Sequence, residues 1–368
     1  MQRSRNLFIQ NKIAIIWDFD KTLIPYDMQR PLFEQYGVDE ATFWREANAL
    51  EGYYQARGYQ LVSRDQMYLL HILAYVKAGR FKGLTNGLLR ELGARLTFFE
   101  GLPDLFPALQ RHVASNLQFR AHDIAVEHYV VSSGLRQMIL GSAIAEHLDG
   151  VWACEYLEAA PGPGFLNPGY QPLPDELDGA SEISQIIYAV DNTTKTRAVF
   201  EINKGTNLHP EIDVNSSMSH DDRRVPFENM IYVADGPSDV PVFSVVNQNG
   251  GKTLGVYNPG STEAFQKAYI LQRDHRVQSV APADYRPGSQ AYLWLLTTVD
   301  EIAQRIVDAK RSTIGQRVGR PPSHRQPDHL TLPLPGVPTL PPPAIPTLPS
   351  APLVRNALDR PDPAEPDL

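Results

Sequence analysis

Two apolar patterns divide the chain. Apolar-rich runs at Ile13–Trp17, Val126–Val131, Val151–Tyr156, Met230–Ala234 and Gly251–Tyr257 read as strands, and the first and fourth, apolar throughout, carry the signature of a buried parallel sheet. Elsewhere apolar residues recur at three- and four-residue steps and predict helices over 42–54, 64–78, 87–96 and 291–310. Met67, Leu70, Leu73 and Val76 form one such stripe; Leu293, Leu296, Val299, Ile302 and Ile306 form another. Asn192–Ile202 reads as a capped helix. The fold class predicted is α/β, a doubly wound, Rossmann-like parallel sheet.

The same patterns suggest boundaries. No strong strand pattern lies between the first two runs, and Gly101 with Pro103 marks a return to the core. Residues 1–24 and 99–310 are therefore expected to form the catalytic core, with 25–98 inserted as an α-helical cap. Pro161–Pro174 reads as a loop with room for a short hairpin, and Thr206–Glu228 as a polar insertion. Residues 321–368 hold 15 of the chain's 31 prolines, so 311–368 is expected to be a disordered Pro-rich tail. Its spaced Pro-x-x-Pro patterns suit either a passive tail or a weak protein partner with an aromatic-lined groove.

Charged and hydroxylic residues cluster where the strands should end. Asp18 and Asp20 follow Ile13–Trp17 at i and i+2, which a strand places on one side. Open α/β sheets bind ligands beyond the carboxyl ends of their strands. Two acids there repel unless a cation or a shared proton relieves them, which suits a divalent metal, an acid–base pair and a carboxylate nucleophile; a turn with two solvated aspartates is the plain alternative. Ser132 and Ser133 end the second run, offering a hydroxyl and backbone N–H groups to a phosphate, or simply a helix N-cap. Lys195 falls in the first turn of its helix, where the dipole disfavours a cation, so an anionic partner would explain it; a solvated lysine is the alternative. Asp235 and Asp239 follow Met230–Ala234 around a Gly-Pro turn, four residues apart.

With DFDKTL at Asp18–Leu23, VVSSGL at Val130–Leu135, Lys195 and ADGPSD at Ala234–Asp239, the chain resembles the haloacid dehalogenase superfamily over residues 12–260. It is most similar to the phosphoserine-phosphatase-like branch, which carries a helical cap between the first two motifs. Ala234 stands where that family commonly has glycine, and the 206–228 insertion loosens the assignment of Lys195 as the phosphate-binding lysine.

The resemblance implies a phosphoric monoester hydrolase with Asp18 as nucleophile and Asp20 as acid, then base. It implies Mg2+ held by the Asp18 and Asp235 carboxylates and the Asp20 backbone carbonyl, with Asp239 holding metal waters or orienting its neighbours. Ser132, Ser133 and Lys195 would bind the substrate phosphate of a small-molecule ester. A phosphotransferase or phosphomutase on the same residues, or an idle binding scaffold, are the other classes. Because the cap begins just past the nucleophile, Asp27, Arg30 and the tyrosines 53, 54, 59 and 68 are expected to choose the substrate, or else to be surface and core residues.

Composition narrows this further. A net charge of −8 without a basic block argues against nucleic acid. No apolar run approaches the ~20 residues that cross a bilayer, and the N-terminus lacks a signal-peptide core, so neither a membrane nor an ion-pumping role is expected and the location expected is cytoplasmic. Cys154, the one cysteine, is expected to be a small buried residue.

Overall fold

In the first strand, β1 (Lys12–Trp17), every residue after Lys12 is buried, and odd and even positions face different cores. Ile13, Ile15 and Trp17 join a large apolar cluster, while Ala14 and Ile16 join a second one behind the sheet. A strand covered on both sides needs no polar face, which is why the run is apolar throughout. The computed structural model describes residues 7–172 and 181–317.

Seven strands form one sheet: β1, β2 (Ala125–Leu135), β3 (Gly150–Leu157), β4 (Gln185–Tyr188), β5 (Met230–Ala234), β6 (Lys252–Tyr257) and β7 (Ser279–Pro282). Their order is β4-β3-β2-β1-β5-β6-β7, with every pair parallel except β3–β4. The chain leaves β1 toward β2 on one side and later returns to β5 on the other. β1 is thus flanked by both halves, and its carboxyl end is a topological switch point, the place where such sheets hold ligands. The doubly wound parallel architecture is as expected; β4 and β7 were not. Both are four residues long, and at the two edges of the sheet they carry too little apolar pattern to register.

The regular elements between β1 and β2 are helices. Four precede residue 99: α1 (Arg30–Tyr36), α2 (Glu40–Gln55), α3 (Met67–Lys77) and α4 (Asn86–Gly93). Then come α5 (Leu105–Ser115) and α6 (Leu117–Arg120), which cover the sheet. On α3 Met67, Tyr68, Leu69, Ile72 and Val76 are buried and Leu73 packs partly buried against the core, whereas Leu70 is exposed; of the expected 67/70/73/76 stripe only Leu70 faces away, and the buried face is broader than the stripe. Phe43 of α2 and Ile72 of α3 belong to the same apolar cluster as Trp17, so this helical segment shares a core with the sheet. At Gly101 (φ +91°) a side chain would run into the Tyr285 backbone, so only glycine permits the close approach where the chain re-enters the core.

Further along lie α7 (Arg136–Leu140), α8 (Asn192–Lys204), α9 (Val240–Gln248) and α10 (Thr262–Arg273), followed by α11 (Gln290–Arg317). Ala198, Val199 and Ile202 of α8 pack with Val242, Phe243 and Val246 of α9 on the second face. α11 continues past the expected end at Lys310, because no proline interrupts Arg311–Arg317. The rest of the proposed tail, residues 318–368, lies outside the described residues, as does the later part of the 161–174 loop. Among the described residues no helix is long and apolar enough to cross a membrane.

Candidate active site

β1 delivers Asp18 to the switch point. Its backbone N–H donates to the Val233 carbonyl of β5 at 2.9 Å, which pins the residue between the two central strands. Lys195 reaches it from the first turn of α8: Nζ lies 2.8 Å from Asp18 Oδ1 and 2.7 Å from Asp239 Oδ1, and the lysine is 1% exposed. Asp191 caps that helix, accepting from the N–H groups of Thr193 and Thr194 at 2.9 and 2.7 Å. The cation that the dipole disfavours thus has two anionic partners, and the solvated-lysine alternative is excluded by burial. Asp239 Oδ1 also accepts from the Tyr232 hydroxyl of β5 at 2.6 Å, and its Oδ2 from Ser238 at 2.7 Å.

The charge balance of this cluster is uneven. Asp18, Asp235 and Asp239 each present a carboxylate oxygen within 4.8 Å of the others, against the single ammonium of Lys195. Burial and the neighbouring Asp18 and Asp239 push Asp235 up to about 8. Burial raises Asp18 to about 6 even though Lys195 pulls the other way. For Lys195, burial alone would favour the neutral amine, but Asp18 and Asp239 more than offset it and hold the ammonium charged. An all-oxygen donor set with excess negative charge fits a hard divalent cation, which would relieve the repulsion that raises Asp18 and Asp235.

Asp20 stands apart from that trio. Its Oδ1 accepts from the Met28 N–H at 3.1 Å, and burial followed by Asp27 and Asp18 raises its pKa well above the usual carboxylate range. Lys21 next to it adopts φ +59°, a left-handed turn uncommon outside glycine, with its ammonium 2.7 Å from Asp27. This turn carries the chain sharply away from β1 just after the two acids.

Ser132 and Ser133 lie within β2, which runs on two residues further to Leu135. Neither serine caps α7; Leu135 holds that position without a side-chain bond. Ser132 Oγ accepts from the Gly134 N–H at 3.0 Å, and the Ser133 carbonyl accepts from the Tyr68 hydroxyl at 2.5 Å and from Cys154 Sγ–H at 3.2 Å. The Leu135 N–H donates to Met28 Sδ at 3.0 Å. An added methyl at Gly134 would meet that methionine's Cε at 2.1 Å, so the bare backbone is what lets Met28 lie over the end of β2.

A cavity of about 300 Å³ opens between this edge and the helices, walled by Asp20 and Ser133 on one side and Gln29, Trp44 and Tyr68 on the other. Of the residues expected to choose substrate, Asp27 and Tyr68 line it. Arg30 is turned away, with Nε 3.3 Å from Glu40 and its guanidinium 4.3 Å over the Tyr26 ring. Tyr53 and Tyr59 are exposed, and Tyr54 lines a separate cavity of about 880 Å³ whose other walls carry none of the candidate acids, serines or Lys195. Volume alone would therefore choose a cavity away from these residues. Sequence reasoning passed over Tyr232 and Trp44, and gave Met28, Gln29 and Ser238 no role although they lie within the 25–30 segment and the ADGPSD motif. Tyr232 carried a signal, being the one hydroxyl inside an otherwise apolar run.

No family model matches the sequence. An uncharacterized protein of Borreliella burgdorferi is 39% identical over 293 residues, covering 79% of this chain and 97% of that protein. Among solved structures, the chain is similar to a haloacid dehalogenase family hydrolase of Salmonella enterica serovar Typhi at 14% identity and TM-score 0.44, spanning 73% of this chain and 66% of that one. A phosphoserine phosphatase with a phospho-aspartyl intermediate analogue gives 14% and 0.41 over 73% and 93% of the two chains. A probable phosphoserine phosphatase of Vibrio cholerae gives 13% and 0.43 over 81% and 68%. Sequence identity over nearly the whole of the spirochaete protein places the two in one family. The chain therefore belongs to one family with that protein, and its strand order and the acids gathered at the end of β1 agree with the haloacid dehalogenase resemblance read from the sequence.

Proposed function

We propose that the chain is a magnesium-dependent phosphatase that hydrolyses a small-molecule phosphate monoester through an aspartyl-phosphate. The observation that carries the reading is the convergence of Asp18, Lys195, Asp235 and Asp239 at the switch point, with Asp20 two residues beyond Asp18 on the wall of a cavity.

Asp18 Oδ attacks phosphorus in line, forming the Asp18–phosphorus bond as the ester P–O bond breaks. Asp20, its carboxyl raised by burial and by Asp27 and Asp18, gives its proton to the leaving alcohol oxygen. It then takes a proton from the water that cleaves the aspartyl-phosphate, returning Asp18 as carboxylate and releasing phosphate. Lys195 and Ser132 hold the oxygens of the moving phosphoryl group, with Ser133 beside them; such transfer gains mainly from positioning and charge neutralisation. The carboxylates of Asp18 and Asp235 and the Asp20 backbone carbonyl would hold Mg2+, with Asp239 orienting Lys195. The ion would neutralise phosphoryl charge when bound.

Purified protein assayed on 4-nitrophenyl phosphate with Mg2+ is expected to release phosphate. Asp18→Asn keeps the shape but removes the nucleophilic charge, and turnover should fall by several orders of magnitude. Wild-type turnover in that variant, or full activity in excess chelator, would refute the mechanism. Release of phosphate only when an acceptor alcohol is supplied would make the enzyme a phosphotransferase.

A further inference from the structure

Ser132, Ser133 and Gly134 stand outside the regular pairing of the sheet. The ladder between β1 and β2 ends at Trp17 and Val130. On the other side Val131 pairs with Trp152 and Leu135 with Cys154, so Ser132, Ser133 and Gly134 stand opposite Ala153 alone. Such a bulge leaves peptide groups without ladder partners, and a glycine at one end of a peptide lets its plane turn at little steric cost. Strand pairing therefore does not fix the peptide that joins Ser133 to Gly134.

Side chains from two other elements hold it instead. Its carbonyl accepts from the Tyr68 hydroxyl of α3 at 2.5 Å and from the Cys154 thiol of β3 at 3.2 Å, and both residues are buried. Its other end, the Gly134 N–H, donates to Ser132 Oγ at 3.0 Å. That last bond decides what the serine can do. With one lone pair of Oγ occupied by an N–H, the hydroxyl proton is left to donate to a phosphoryl oxygen. If the peptide turned over, its carbonyl would face Oγ and take that proton. Cys154 Sγ also receives the Val190 N–H at 3.2 Å, and the next residue, Asp191, caps the helix that aims Lys195.

We propose that Tyr68 and Cys154 are positioning residues that clamp the Ser133–Gly134 peptide, so that the Ser132 hydroxyl keeps its proton for the substrate phosphate. This rests on the phosphatase reading above and assigns two further residues to the same site. Ser132 touches the phosphate, and Tyr68 and Cys154 act through it. Helix α3, from the segment between β1 and β2, thereby sets a phosphate-holding group of the core.

The test gives 4-nitrophenyl phosphate and Mg2+ to the full-length protein and compares Tyr68→Phe, Cys154→Ala and their double variant, each with and without Ser132→Ala. Either single change leaves the carbonyl one donor, so kcat/KM should fall by about threefold. The double variant leaves it none and should lose at least roughly thirtyfold, more than the product of the singles. Cys154→Ser keeps a donor and an acceptor in place and should stay within about twofold of wild type. On Ser132→Ala the double change should cost less than about twofold more, because the hydroxyl it serves is gone. Hydrogen exchange reads the clamp without turnover: the Gly134 amide should exchange roughly tenfold faster in the double variant.

An undiminished loss on Ser132→Ala would overturn the proposal, since the two side chains would then act elsewhere. So would single losses that merely multiply in the double variant, a serine at 154 that loses as much as alanine, or Gly134 exchange left unchanged. Should the double variant fail to fold, Tyr68→Phe with and without Ser132→Ala decides, and an equal loss in both overturns the proposal. Wild-type protein inactive on 4-nitrophenyl phosphate refutes the phosphatase reading beneath it; the exchange measurement then still decides whether Tyr68 and Cys154 hold the peptide.

Discussion

Two buried ion clusters lie along the same sheet and are built on opposite principles. On β2, Glu127 meets Arg224 through both carboxylate oxygens, at 2.7 and 2.5 Å, and the Tyr129 hydroxyl donates to the same acid at 2.7 Å. One cation faces one anion in a fork geometry, and the pair is closed. Beyond β1, Lys195 faces Asp18 and Asp239 with Asp235 beside them, one cation among three carboxylates. Burial alone would lower the Arg224 pKa, but Glu127 holds it above its usual value. In the open cluster Asp18 and Asp235 are lifted toward neutrality instead. A closed pair serves the fold; a cluster left short of positive charge serves a ligand that brings it.

The sharpest way to break this contrast is Asp18→Asn read by stability as well as turnover. Activity should collapse by several orders of magnitude while the melting temperature holds or rises, because one of three crowded charges is gone. A melting temperature lower by many degrees would make the open cluster structural too. Next in size is Arg224→Met, which strands Glu127 in the interior and should cost about 3–5 kcal/mol in urea unfolding. Pairing it with Glu127→Leu should recover much of that loss, whereas activity per folded molecule should survive both.

Metal addition comes third. Mg2+ at about a hundred times its Kd should stabilise the protein by about 2.7 kcal/mol, read as a rise in melting temperature without any substrate. Asp235→Asn should abolish that rise; a rise unchanged in the variant would move the ion elsewhere. The smallest effect concerns the cap that aims Lys195. Bonds from Thr194 and Thr193 lower the Asp191 pKa, opposed by partial burial, so its contribution is present above the unfolded value of 3.8. It is lost as pH falls through the folded pKa. Asp191→Ala should therefore cost about 1 kcal/mol at neutral pH and progressively less below pH about 4. A cost independent of pH would mean that the charged cap is not what holds this turn.

Much of the central architecture was legible because strands buried on both faces announce themselves as apolar runs, and Asp18, Asp235 and the serines stand where those runs stop. Lys195 was legible through a misfit, a cation where the helix dipole resists one. β4 and β7 escaped because a four-residue edge strand leaves too short a pattern. The exposure of Leu70 on α3 escaped because the helix is apolar nearly all round, so spacing could not fix the limits of the side that meets the core. Trp44 carries no sequence signal, and Gln29 only its place in the segment that follows the nucleophile; that both line the cavity beside Asp20 is a property of three dimensions.

Met28 has a consequence for which sequences can carry this edge. Its N–H holds Asp20 and its sulfur receives the N–H of Leu135, while its methyl occupies the space that a side chain at position 134 would need. Positions 28 and 134 are thus one choice made at two places. A chain with alanine at 134 must swing the methionine aside, leaving the Leu135 N–H buried without its acceptor, or replace it with a shorter residue that leaves a gap over the serines. Because the atoms in the way are the far end of a flexible side chain, alanine at 134 asks only that the Met28 thioether move, and what it costs is the sulfur acceptor of the Leu135 N–H.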